Sequence, residues 1–140
     1  MIIRHSLKAA FLFVVGGSIY TLIEILWRGH THISMFILGG LCFIAIGLIN
    51  EVFPWDFGFL WQSMIGSAIV TVFEFLTGLV VNVWLNLNIW DYSDLPFNIL
   101  GQICLPFSIA WIVLSAIAIV LDDYLRYWLF KEEKPRYKFI

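Results

Sequence analysis

Four stretches of this chain, at about 8–27, 33–50, 59–82 and 97–121, are apolar for close to the length of a helix that crosses a bilayer. A helix needs about 20 such residues to cross roughly 30 Å of hydrocarbon, whereas a barrel strand needs only about 9–11. Backbone polar groups in lipid must be satisfied within the structure, which leaves helices for runs this long. The sequence therefore predicts an all-α integral membrane protein with four transmembrane helices. Composition agrees: 61% of the 140 residues are hydrophobic, 13% are charged and the mean hydropathy is +0.92, far from soluble usage. Little chain is left for a soluble domain, so a single transmembrane domain over 1–140 is expected, with the lipid bilayer as partner and no nucleic acid.

The cations fix the expected orientation. Arg4 and Lys8 precede the first run, Arg28 lies alone after it, and Arg126, Lys131, Lys134, Arg136 and Lys138 follow the fourth. With both termini inside, seven cations are cytoplasmic and one is outside, as the positive-inside rule requires. The start, MIIRHSLKAAFLFVVGGS, has the outline of a secretory signal, but its apolar run continues to Trp27 and forms half of an apparent repeat, which favours an uncleaved first span.

That repeat aligns GGSIYTLIEIL (16–26) with GSAIVTVFEFL (66–76) at an offset of 50, pairing Gly16 with Gly66, Thr21 with Thr71 and Glu24 with Glu74. Downstream, ILGGLC (37–42) matches ILGQIC (99–104) at an offset of 62. The order predicts two duplicated helix hairpins, about 8–50 and 59–121, as a parallel repeat with a pseudo-twofold axis along the membrane normal. The offsets differ by 12 residues, which puts an insertion in the outer connection of the second hairpin, about 84–96.

Glu24 and Glu74 are the leading candidates for function. An acid near the hydrocarbon costs on the order of 2–3 kcal/mol on insertion scales and should face protein or water. Thr21 and Thr71 lie on the same helix faces. One reading is a proton, cation or substrate-amine site shared by the two carboxylates. The other is structural, with Glu24 paired to Arg28 at i, i+4. In the outer loop of the first hairpin, His30 and His32 are weak candidates for a metal site with N and O ligands. Cys42 and Cys104 fit neither a zinc nor a disulfide framework.

In the insertion, Trp84, Leu87 and Trp90 stand at helical spacing and read as an interfacial helix or the rim of a long span. The acids Asp91 and Asp94 then read either as caps of the DYSDLP turn or as a gate over a cavity, with Pro96 opening the next helix. Gln102 adds a polar group to the fourth span, and Pro106 is expected to kink it. Residues 122–140 read as a cytoplasmic amphipathic helix against anionic headgroups.

The segments ILWRGHTHISMFILGGLCFIAIGLINE and EFLTGLVVNVWLNLNIWDYSDLPFNILGQICLPFSIAW resemble the family described as putative ABC-transporter type IV, or CmpB-like, membrane proteins. The resemblance spans about 15–128 and rests on the long motif W-D-Y-S-x-x-P-F-N-x-x-G-Q-I-C. It implies a small multispan protein of the cytoplasmic membrane of a Gram-positive type of bacterium, and a transport function. The residues themselves add no support for ATP use, since there is no G-x-x-x-x-G-K-[ST] loop. The functional expectation is a permease-like component, completed by homo-oligomerisation or other membrane subunits. The alternative is a non-transporting binding, sensing or scaffold module that recognises a lipid, cofactor or partner protein. No nucleophile and base pair stands out for an enzyme, and no cofactor is specified.

Overall fold

The computed structural model of the chain describes the backbone of residues 2–54 and 57–139, and the side chains of 6–49, 52–54 and 57–139. Arg4, one cation of the topology count, lies outside the described side chains. Among the described residues the regular structure is helical. The helices are α1 (Ile2–Arg28), α2 (Ile33–Gly47), the single turn α3 (Ile49–Val52), α4 (Phe59–Gly78) and α5 (Leu105–Phe130). Three segments are long and apolar enough to cross a membrane, Ser6–Arg28, Phe59–Trp84 and Leu105–Phe130. The fourth apolar helix, Ile33–Gly47, has 15 residues, about 22 Å at the helical rise, and stops short of the 33–50 expected from hydropathy. The chain divides into two compact units, Met1–Ile44 and Ala45–Ile140.

In the first unit α1 ends where Gly29 takes φ +78° and its N–H donates to Ile25 O at 2.8 Å, the left-handed glycine cap that satisfies a terminal carbonyl. His32 starts α2 by accepting from Ser34 N through Nδ1 at 3.1 Å. The two helices approach backbone to backbone. A Cβ on Gly16 would collide with Phe43, and one on Gly39 would stand 2.5 Å from Tyr20 Cβ, so small residues here set the crossing distance.

The second unit is built on the antiparallel pair α4 and α5. The start of α4 has no side-chain cap. Instead the N–H groups of Phe59 and Leu60 donate to Lys138 O at 2.5 Å and Phe139 O at 2.9 Å, so the C-terminal segment covers donors that a helix start leaves unsatisfied. At its far end α4 widens into π-helical turns over Leu79–Trp84. The chain is then irregular until α5.

Three expectations are corrected in this unit. The fourth helix occupies Leu105–Phe130 rather than 97–121, because residues 98–104 spend their polar groups on a local network described below. Pro106 consequently lies in the first turn of α5, where a missing N–H and a fixed φ suit the helix and cause no kink. The segment after Trp84 is not an interfacial helix: Asn86 and Asn88 take φ +55° and +50°, and the N–H of Ile89 goes to the Asn82 side chain at 2.7 Å. The tail differs as well. Residues 122–130 continue α5, Lys131 closes it in the left-handed conformation, and 131–139 are irregular.

Candidate functional site

Along α4 the buried positions are Gln62, Ser63, Gly66, Ser67, Val70, Glu74 and Gly78. Their spacing of three and four residues makes one stripe, and six of the seven are polar or carry no side chain beyond hydrogen. A helix in lipid turns its polar groups toward protein, and this stripe is that inward face. The stripe meets α5 and the segment that precedes it through matching small and polar groups: a Cβ on Gly66 would stand 2.7 Å from Ser115 Cβ, and one on Gly78 would collide with Gln102. Ser67 Oγ donates to Ser108 O at 2.6 Å, and Thr71 Oγ1 is 3.1 Å from Ser108 Oγ. The result is a polar seam running the length of the α4–α5 hairpin.

Glu74 lies in the middle of this seam at 2% exposure. At one end of the seam, three buried atoms have no hydrogen-bond partner: Gln62 Oε1, Ser115 Oγ and Asp122 Oδ1. The second Asp122 oxygen accepts from Arg126 Nε at 3.0 Å. Two of these orphans are oxygens that can accept, the Gln62 amide oxygen always and the Asp122 oxygen when its carboxyl is ionised.

The other end is closed around Gln102, a candidate from the sequence, by partners to which the sequence assigned no such role. Asn82 donates through Nδ2 to Gln102 Oε1 at 2.8 Å, while its Oδ1 accepts from Ile89 N. Trp90, 5% exposed, donates through Nε1 to Gln102 O at 2.9 Å. Tyr92 stacks on Phe107 with centroids 4.7 Å apart, and its N–H donates to Gly101 O at 2.7 Å. Asn98 donates to Leu95 O at 2.9 Å and accepts from Gly101 N at 3.2 Å. The WDYSDLPFN loop is therefore fastened to the G-Q-I-C segment, and Gln102 is the hub of that fastening. The only sequence signal for Asn82 was its position as a polar residue at the end of an apolar run.

The acids in this loop have a local role. Asp91 Oδ1 accepts from Ser93 N at 2.9 Å, and its bonds from the Ser93 hydroxyl and backbone N–H hold its carboxyl below the ordinary aspartate range. Both Asp91 and Asp94 are exposed.

The first-unit candidates are also locally engaged. Glu24 accepts from Arg28 Nε at 2.7 Å, with the guanidinium Nη2 at 2.5 Å, and Thr21 Oγ1 bonds back to Ser18 O at 3.0 Å. His32 is used at the start of α2 and His30 is exposed. No group of three or more His, Cys, Asp or Glu that could hold a metal occurs among the described residues. Cys42 and Cys104 are buried and form no disulfide.

Long apolar helices with outward-facing Leu, Ile, Val and Trp, and polar groups gathered on an internal seam, define a small membrane-embedded helical protein. The chain belongs to the family described as "Putative ABC-transporter type IV", whose model matches residues 11–138. No curated protein and no solved structure matches it.

Proposed function

We propose that the protein is a permease-like component of the bacterial cytoplasmic membrane, and that Glu74 in the α4–α5 seam is its ion- or proton-binding carboxylate. The observation that carries this reading is a fully buried acid at the centre of a polar stripe within a span. An ionisable residue so placed is costly and is kept where a substrate, ion or proton must be handled. Glu24, half of the proposed duplication, is held in an ion pair with Arg28 and is only partly buried, so the mobile charge is assigned to the fully buried Glu74. Thr71 and Gln102 flank it as neutral hydrogen-bonding groups. The two hairpins are read as duplicated, with both termini cytoplasmic and the pathway completed by further copies or other membrane subunits. No phosphate loop occurs in these 140 residues, so they contribute no ATP site of that type.

The test is flux through proteoliposomes for protons and monovalent cations. Glu74→Gln should abolish it while leaving the purified protein folded and of unchanged oligomeric state, and unchanged flux in that variant refutes the assignment. One observation favours the alternative of a non-transporting scaffold: Ser67, Thr71, Asn82 and Gln102 are hydrogen-bonded within the hairpin, as they would be in a seam whose purpose is adhesion. Absence of flux for every ion tried, in a folded wild-type protein, selects that alternative.

A further inference from the structure

At the end of the hairpin where α4 begins and α5 finishes, an open groove of about 480 Å³ lies on the surface of the second unit. Its walls include Phe59, Ala116, Ile117, Val120, Tyr124 and Trp128. It is apolar along its length and has two aromatic residues with polar tips at the α5 end. Those residue types favour the level of the lipid headgroups.

The C-terminal segment ends at the same place. Tyr137 Oη donates to Asp123 Oδ2 at 2.8 Å, its ring packs on Phe59 with centroids 5.0 Å apart, and Lys138 O and Phe139 O accept from the first two N–H groups of α4. Burial, the bond to Asp123 and that residue's charge push the Tyr137 phenol above its ordinary range, so it remains a donor at any physiological pH. Backbone and tyrosine thus fix the segment, with Pro135 buried beneath it and the side chains of Lys131, Lys134, Arg136 and Lys138 exposed. Phe59 belongs both to the groove wall and to this anchor, so the cationic segment starts at the mouth of the apolar groove.

We propose that the groove and the anchored segment together form a binding site for an anionic phospholipid. One acyl chain occupies the groove, and the headgroup phosphate meets Lys134 and Lys138. An apolar slot alone would accept any chain; the neighbouring cations select the charge. Arg136 contributes less, because Glu133 already takes its guanidinium at 3.0 Å. This site is independent of the Glu74 assignment and survives its failure.

The test uses the full chain purified in a mild detergent, with lipid retention read by native mass spectrometry and stability by thermal unfolding. Phosphatidylglycerol should be retained at least fivefold more than phosphatidylcholine and should raise the unfolding temperature more. The double substitution Lys134→Gln and Lys138→Gln, which keeps the backbone cap, should bring retention of the two lipids together. Ala116→Phe, which fills the groove from a half-buried position, should reduce retention of both, and circular dichroism reports whether that variant folds; if it does not, Val120→Phe takes its place. Glycerol phosphate, which has the headgroup without the chain, should have no effect. Equal retention of the two lipids by the wild type overturns the proposal, as does a glycerol phosphate effect equal to that of the lipid. A groove-filling variant that changes oligomeric state while retaining lipid also overturns it and assigns the groove to a second copy.

Discussion

At the scale of single residues, the decisive feature is which polar atoms in the seam have partners. Ser67 and Ser115 are both buried serines between α4 and α5, yet Ser67 Oγ donates at 2.6 Å and Ser115 Oγ has no partner. A buried hydrogen bond contributes about 1 kcal/mol net, while an unsatisfied group costs about 1–3 kcal/mol. Ser67→Ala should therefore lower the thermal stability of the purified protein, and Ser115→Ala should leave it unchanged or raise it. A clear loss from Ser115→Ala would mean that its hydroxyl is bonded to something bound in the seam. Asn82→Leu should be more damaging, by about 2–3 kcal/mol, since it leaves Gln102 Oε1 and Ile89 N without their partner, with faster proteolysis of 85–104 as a second measurement. The Asp91 turn behaves differently with pH. Its carboxyl is held below the unfolded value, so its contribution is complete above the ordinary aspartate range and is lost only as pH falls through the lowered folded value. Proteolysis in the loop should therefore be flat between pH 7 and pH 5, with Asp91→Asn raising it across that whole range.

At the scale of elements, helix ends are set by what satisfies their orphan groups. The start of α4 is capped by the carbonyls of Lys138 and Phe139, a partner some 80 residues away that no capping signature in the local sequence announces. Truncation after Phe130 should speed hydrogen exchange at Phe59 and Leu60 while the middle of α4 stays protected; equal exchange with and without the tail would show that the cap contributes nothing. The span boundaries were legible to within a few residues where hydropathy changes sharply, as at Arg28 and Phe59, because burial in hydrocarbon is a property of composition. The start of the fourth helix was not. The apolar run at 97–104 reads as helix, but Leu100 and Gly101 take φ +54° and +71° and Asn98 collects the carbonyls of Ser93 and Leu95, so local side-chain bonds outcompete the helix. Leu100, largely exposed, is held in a conformation that costs a branched residue about 1–2 kcal/mol. Leu100→Gly should raise the unfolding temperature if that strain outweighs glycine's greater unfolded-state freedom.

At the scale of the whole molecule, long apolar helices and membership of the family agree with composition, while the proposed topology has its own measurement. With both termini cytoplasmic and Arg28 outside, His30→Cys and Lys134→Cys, each made with the two native cysteines replaced by alanine, should react with a membrane-impermeant maleimide from opposite sides of the membrane; labelling from the same side would refute the four-span topology. By itself the sequence determined that this chain is helical and membrane-embedded, and that its few buried acids and glycines matter, because hydropathy and helical period are local quantities that a run of 20 residues already expresses. Only the tertiary structure decided that Glu24 is paired locally whereas Glu74 is buried in the stripe of α4, that Asp91 serves its own turn, and that Asn82, Gln102 and Trp90 fasten the loop. A hydrogen bond needs both partners within about 3 Å, and which residues meet at that distance is fixed by how α4 and α5 pack, a relation between segments that no single stretch of sequence contains.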